Sequence, residues 1–230
     1  MPAMVSDAPG RLSVVATPIG NLEDLTRRAE RALRDCDAVV AEDSRRTRSL
    51  LRALGIDKAV LSLPAFDEAR RVPALLERLK CGQHLAICTD AGTPTVSDPG
   101  SRLVAAAVEA GVTVTVLPGP SAVTAALAGS GLGGGGGFVF LGFPARSPGK
   151  LRRGLEAALG LGLPVVLFEA ANRLARTLEA AETVLGERPI TVARELTKVH
   201  ETFHRGTARE LADRFRSQPP RGECTIVIGA

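Results

Sequence analysis

The chain has 230 residues, 45% hydrophobic and 23% charged, which excludes a disordered polymer and fits one large domain or two of about 100 residues each. A net charge of +4, with seven Phe and neither Trp nor Tyr, permits a nucleic-acid partner but excludes a binder that stacks a run of bases on many aromatics. No uncharged apolar run reaches the ~18 residues of a membrane span, and the opening Met1–Asp7 lacks a signal-peptide layout, so a cytoplasmic protein without membrane contact is expected.

Residues 12–16 read as a buried strand. After a loop at 17–21, helical spacing runs from Leu22 to Leu33, with Asn21 as N-cap and Asp24 three residues on. A strand at 37–41 ends in Glu42-Asp43, and Ser44 can cap a helix over 45–54 closed by Gly55. A strand at 59–63, a helix at 68–80 and a strand at 84–89 follow. Asp98-Pro99 opens a helix to Ala110, then come a strand at 112–117 and a helix at 122–128.

This alternation with short loops predicts a mostly parallel sheet covered by helices over residues 11–128. In such a sheet ligands bind beyond the carboxyl ends of the strands. The Gly/Pro loops there, above all 90–94 and 118–121, suit close backbone approach to a small ligand. Asp90 could take a donor or a positive charge.

Residues 129–137 contain seven glycines and read as a flexible linker. Beyond it, 138–230 alternates again: strands at 138–143, 164–168, 190–196, 200–204 and 224–228, and helices at 150–159, 172–185 and 207–216, the last with a Thr207-x-x-Glu210 capping box. This predicts a mixed α/β domain.

Several chemistries lack their motif: there is no G-x-G-x-x-G after the first strand, no P-loop and no nucleophile elbow. The scattered Cys36, Cys81, Cys88 and Cys224 fit neither a zinc ribbon nor a disulfide scaffold. His200-Glu201-Thr202-Phe203-His204 matches H-E-x-x-H, but in a β-rich context; on a strand the two His lie roughly 13 Å apart, too far to share a metal. No metal is expected.

Five segments occur in order: Ala16-Thr17-Pro18-Ile19-Gly20-Asn21-Leu22-Glu23-Asp24; Ala41-Glu42-Asp43-Ser44-Arg45; Asp90-Ala91-Gly92-Thr93-Pro94 with Ser97-Asp98-Pro99-Gly100; Leu117-Pro118-Gly119-Pro120-Ser121; and Ala193-Arg194-Glu195-Leu196-Thr197-Lys198 with His200-Glu201. Together they resemble the 16S rRNA (cytidine-2′-O)-methyltransferase family, within the tetrapyrrole-methylase-like S-adenosylmethionine enzymes, over residues 11–229. The resemblance implies a two-domain α/β homodimer with S-adenosyl-L-methionine in the interdomain cleft, acting on 16S rRNA or the small ribosomal subunit. It places Asp90, Ala91, Gly92, Thr93, Ser121 and Ala122 along the cofactor, with Ile19, Phe168 and Ala193. The Ala41–Arg45 and Arg194–Glu201 segments, including Glu42, Asp43, Arg45, Arg194 and Glu201, would face the methyl acceptor. The chain departs from the family at Pro64-Ala65-Phe66-Asp67, at Ala171-Asn172, in the glycine tract, and in stopping at Ala230 where many members continue; by the resemblance these differences bear on the acceptor side more than on the cofactor side.

Methyl transfer to a ribose hydroxyl is an in-line displacement that a general base assists. Glu195 and Lys198 are the candidates. Glu195 could accept the proton or pair with Arg194. Lys198 needs a depressed pKa to act as base, or can bind phosphate as a cation. Outside the motifs Arg45, Arg46, Arg48 and Arg52 form one basic cluster. Arg146, Lys150, Arg152 and Arg153 form another, on a stretch read as flexible, which suits phosphate contacts. Arg27, Arg28, Arg31 and Arg34 read as a solvated face. Competing readings are a relative methylating a tetrapyrrole, a zinc hydrolase resting on H-E-x-x-H alone, and a ribosome-assembly factor without catalysis.

Overall fold

The computed structural model describes residues 10–230; the opening segment read for a leader lies outside them. The chain forms two compact units that divide between Ser121 and Ala122. The glycine tract at 129–137, expected to be the boundary, therefore falls within the second unit.

The first unit holds β1 (Arg11–Val15), α1 (Arg27–Asp35), β2 (Ala38–Ala41), α2 (Ser44–Ala53), β3 (Ala59–Ser62), α3 (Glu68–Lys80), β4 (His84–Cys88), α4 (Ser101–Glu109) and β5 (Thr113–Leu117). The strands form one parallel sheet in the order β3-β2-β4-β1-β5. Successive side chains alternate between two cores, as the period of a strand requires. Leu12, Val14, Ala38, Val40, Leu85 and Ile87 pack with Leu75, Leu79, Leu103 and Ala107 of α3 and α4. Val15, Val39, Ala86 and Cys88 pack with Ala29, Leu33 and Leu51 of α1 and α2.

Local chemistry refines three expected helix starts. The expected helix from Leu22 is two pieces, because Leu25 and Thr26 are extended. Asn21 caps only a short 3-10 turn, accepting from Glu23 N–H, while Thr26 caps α1 by accepting from Ala29 N–H. Ser44 is inside α2; its cap is Asp43, which accepts from Arg45 N–H at 2.8 Å. The helix expected from Pro99 begins at Ser101 behind Gly100, whose φ of +117° no ordinary residue adopts easily. Asp98 is not its cap. Glu68 of α3 supplies the carboxylate instead, accepting from the N–H of Gly100 at 3.1 Å and of Arg102 at 2.9 Å.

The second unit holds α5 (Ala122–Ser130), β6 (Val139–Phe140), α6 (Pro148–Leu159), β7 (Val165–Ala170), α7 (Leu174–Leu185), β8 (Ile190–Arg194), β9 (Thr202–Gly206), α8 (Ala208–Ser217) and β10 (Glu223–Ile228). Its sheet, ordered β6-β7-β10-β8-β9, is mixed: β6 runs parallel to β7 and the other pairs are antiparallel. One face packs Leu167, Ile190, Val192, Cys224 and Ile226 on Leu155, Leu174, Leu178, Leu211 and Phe215 of α6, α7 and α8. The small residues of α5 lie against β7, β8 and β10. The Thr207–Glu210 capping box is present in both halves. The helix expected at 150–159 is α6, which begins two residues earlier with Pro148 in its first turn, so Lys150 and the exposed Arg152 and Arg153 stand on a helix rather than on a flexible stretch, with Arg146 before it.

Candidate active site

Because all five strands of the first sheet are parallel, their carboxyl-end loops emerge at one edge. Three of these loops are fastened together. Thr17 and Gly92 exchange both backbone hydrogen bonds, N–H to C=O, at 2.9 and 3.0 Å. The Thr17 hydroxyl donates to Thr89 C=O at 3.1 Å. Thr93 Oγ1 donates to Pro120 C=O at 3.5 Å, tying in the third loop. At the centre, Gly92 has φ of +82°, and a Cβ there would stand 3.6 Å from Ile19 Cγ2 and 4.0 Å from Pro120 O. Of the expected cofactor residues, Ile19, Gly92 and Thr93 are thus brought together around Pro120, with Asp90 and Ala91 on the same loop.

Asp90 joins this edge to the start of α2. Its Oδ1 accepts from Asp43 N–H at 3.2 Å and its Oδ2 lies 3.4 Å from Arg46 Nε. Asp43 in turn holds Arg45, its Oδ2 2.9 Å from Nη2, and that hydrogen-bonded guanidinium lowers the half-buried Asp43 carboxyl to about 2. Glu42 is raised above the usual carboxylate range, first by burial and then by the Asp90 charge. Asp98 is pushed up to about 6, again by burial first and then by Glu42. Motif reading did not anticipate this crowding of Glu42, Asp90 and Asp98; the signal was three carboxylates in loops that leave adjacent strands.

In the second unit Glu195 and Lys198 form a compact network. Lys198 Nζ donates to Glu195 Oε1 at 2.9 Å and to Glu223 Oε2 at 2.8 Å. Glu195 Oε1 also accepts from Glu223 N–H at 3.0 Å. The bond from Lys198, set against burial, and the Glu223 N–H hold Glu195 below the usual range. Burial disfavours the charge on Lys198, but its bonds to Glu223 and Glu195 win and raise it. The depressed pKa that a lysine base needs is therefore absent here. Arg194 does not pair with Glu195; its Nε donates to Arg221 C=O at 2.6 Å. Glu201 Oε2 accepts from Thr197 N–H at 2.6 Å. Gly222, with φ of +94°, went unnoticed in the sequence: a Cβ there would stand 2.1 Å from Glu195 Oε1.

Backbone strain concentrates in the same places. Among the described residues, the non-glycine residues with positive φ are Thr95, Ser97, Glu195 and Thr197. Two follow the Gly92 loop and two carry the Glu195–Lys198 network. Such strain costs on the order of 1–3 kcal/mol per residue and collects at functional sites.

The remaining expected residues fall elsewhere. Phe168 and Ala193 both pair with Thr225 and so share one face of the second sheet; Phe140 and Phe143 lie 5.0 and 5.5 Å from Phe168, ring to ring. Ser121 ends the first unit and Ala122 begins α5. His200 lies before β9, while His204 within it packs edge-on against Phe215 at 5.2 Å. Among the described residues no three His, Cys, Asp or Glu side chains group so as to hold a metal ion. Burial pushes the Cys88 thiol to about 12 and Cys224 to about 11, so both stay protonated.

Residues 11–212 match the family described as Tetrapyrrole (Corrin/Porphyrin) Methylases. A Thermotoga maritima protein named ribosomal RNA small subunit methyltransferase I is 42% identical over 95% of the chain and 98% of its own length. A protein of the same name from Mycobacterium bovis is 46% identical over 95% of the chain and 77% of its length. Among solved structures, diphthine synthase superposes with a TM-score of 0.73 at 17% identity, covering 95% of this chain and 90% of that one. A cobalt precorrin-4 methyltransferase superposes with 0.71 at 18%, covering 95% and 94%. At such identities these two likenesses concern the fold.

Proposed function

Since the chain belongs to the tetrapyrrole methylase family, among its ribosomal RNA small subunit methyltransferase I members, we propose that it methylates small-subunit ribosomal RNA, using S-adenosyl-L-methionine, at the 2′-oxygen of a cytidine ribose. The observation that carries the reading is the fastening of loops 17–21, 90–94 and 118–121 around Gly92 at the carboxyl edge of a parallel sheet.

The residues present fit the cofactor. The space a Cβ on Gly92 would enter, beside Ile19 and Pro120, lets a ligand lie against backbone N–H and C=O groups. When bound, S-adenosylmethionine supplies an activated methyl group on a sulfonium. The loops of the first unit hold and orient it, with Asp90, Ala91, Gly92 and Thr93 as its wall. Phe168 and Ala193 remain assigned by resemblance to the family. Alignment of acceptor and donor can supply on the order of 7–11 kcal/mol of the barrier, so much of the work is positioning.

The proton of the ribose hydroxyl needs an acceptor. Glu195 is held ionised by Lys198 and the Glu223 N–H, and as a carboxylate it can accept that proton or orient the hydroxyl. Lys198 is held as a cation; it keeps Glu195 charged and can face phosphate. Glu42, Asp43, Arg45, Arg194 and Glu201 are assigned to the acceptor side, and Arg152 and Arg153 of α6 to phosphate contacts. The partners are 16S rRNA or the small subunit and a second copy of the chain, in the cytoplasm. No described helix is long and apolar enough to cross a membrane.

The test is incorporation of tritiated methyl from S-adenosylmethionine into small-subunit RNA, followed by mapping of 2′-O-methyl positions. One cytidine modified only with active protein is the expected result. Transfer to a tetrapyrrole with none to RNA overturns the reading.

A further inference from the structure

We propose that Arg48, Arg52 and Lys58 form a second anchoring site for the phosphate backbone of the RNA, separate from the carboxyl-edge loops. The inference rests on the RNA reading above.

The site is built by the way α2 ends. Gly55, at φ of +63°, lets the chain reverse. Gly55 N–H donates to Arg52 C=O at 3.1 Å, and Ile56 N–H donates to Leu51 C=O at 2.8 Å. That pair of bonds is the Schellman motif, and its usual apolar contact is made by the buried Leu51 and Ile56. Arg34 of α1 closes the motif from outside. Its Nη2 donates to Leu54 C=O at 2.6 Å and its Nη1 to Gly55 C=O at 3.4 Å. The turn is therefore held on both sides.

Over this floor lies an open concavity lined by Arg48, Leu51, Arg52, Gly55, Ile56, Asp57 and Lys58. Its volume of about 430 Å³ is more than ten times one water's share of ~30 Å³, so it suits a stretch of backbone better than a single ion.

The charges decide what it takes. Arg45 and Arg46, earlier on α2, are paired with Asp43 and Asp90. Arg70 and Arg71 are both spent on Asp67. Arg48, Arg52 and Lys58 form no ion pair among the described residues; Arg48 makes only a 3.4 Å bond to Ser44 Oγ. Three cations and one carboxylate, Asp57, therefore line the concavity. Arg48 and Arg52, four residues apart on one helix face, are offset by ~6 Å along its axis and so can reach different phosphates. No aromatic lines it, so it positions RNA without reading bases.

Its location separates it from the carboxyl-edge loops. α2 leaves the carboxyl edge after β2 and returns toward the start of β3 at Ala59, a run of ~15 Å. A short RNA held at the carboxyl edge need not extend to it, whereas the whole small-subunit RNA can.

The experiment compares wild type with the triple variant Arg48→Gln, Arg52→Gln, Lys58→Gln, and with Arg27→Gln, Arg31→Gln on the α1 face as a charge control. Binding of small-subunit RNA is followed against salt, and methyl transfer is measured on that RNA and on a short oligonucleotide. Three lost phosphate contacts flatten the slope of log K against log salt by about 2.1–2.7. The triple variant should show that change, a KM for small-subunit RNA at least 10-fold higher, and unchanged kcat, S-adenosylmethionine affinity and short-RNA KM; the control should match wild type. A slope and KM equal to wild type overturn the site. So does a slope equal to wild type with loss of pyrophosphate binding, which makes this a free-anion site. If wild type itself neither binds nor methylates the RNA, the functional reading fails instead. Thermal melting of the triple variant within a few degrees of wild type shows that the fold is intact.

Discussion

Gly222 and the Glu195 carboxylate occupy the same small space: a Cβ at 222 would stand 2.1 Å from Glu195 Oε1 and 2.3 Å from its Cδ. The pairing of β8 with β10 brings the two together, and the φ of +94° at Gly222 completes the fit. Glu195 owes its place to a missing side chain as much as to Lys198.

Gly222→Ala should therefore displace Glu195 and disconnect it from Lys198 and the Glu223 N–H. The expected outcome is a kcat reduced on the order of 10²-fold, the scale of a lost general base. S-adenosylmethionine affinity should fall much less than kcat, because the Gly92 loops assigned to the cofactor are untouched by the change. Glu195→Gln should reproduce the kcat loss without the strain. Full activity in both variants removes Glu195 from the mechanism.

Gly92 combines a positive φ with the open space beside Ile19. Gly92→Val should abolish S-adenosylmethionine binding in calorimetry, but it strains the backbone as well as filling the space. Gly92→Asn separates the two, since Asn tolerates left-handed backbone better than other residues with a side chain. It should melt within a few degrees of wild type and still bind the cofactor at least 10-fold more weakly. Normal affinity in Gly92→Asn means that the ligand does not use this space.

Asp98 carries a pH signature. Burial, then the charges of Glu42 and Asp90, raise it from 3.8 to about 6. Between those values the folded chain binds more protons than the unfolded chain, so stability falls as pH rises through this window and stays lower above it. Asp98→Asn removes the ionised form. At pH 7.5 the variant should be more stable by about 1–2 kcal/mol, less than the ~3 kcal/mol of two full pK units because Asp98 is only partly buried. Near pH 4 the two proteins should match. Urea midpoints at both pH values check this; equal midpoints at pH 7.5 contradict it.

Arg152 and Arg153 stand exposed on α6, and neither forms an ion pair among the described residues. Replacing both with Gln should flatten the salt dependence of RNA binding by about 1.4–1.8. Cofactor calorimetry should be unaffected. An unchanged slope makes them a solvated face, and the phosphate track then runs over α2 alone.

Much of this was legible in the sequence because strands and their loops are local. Leu12 and Val14 against Ser13 and Val15, or Leu85 and Ile87 against Ala86 and Cys88, announce a sheet covered on both faces. The loops at 90–94 and 118–121 carry their own glycines and prolines. What escaped depends on distance along the chain. Nothing near Ser101 says that Glu68 will cap its helix, and nothing near Gly222 says that Glu195 lies beneath it. The start of α6 is different, for the signal was there: Ser147-Pro148 is an N-cap residue followed by the residue most favoured at the first helical position, and the adjacent Gly149 masked it.

The bond from Glu68 to Gly100 and Arg102 has a dynamic meaning. α3 and α4 pack side by side on one face of the sheet, and this carboxylate fastens the base of one to the mouth of the other. If α4 peels away, Glu68 loses both partners, and so does the end of the strained stretch from Thr95 to Gly100. The two helices should then open as one cooperative unit, their amides exchanging with solvent together. The loop that runs into α4 is hinged at one end on the buried first residue of α3, so its breathing is governed by the helix packed beside it.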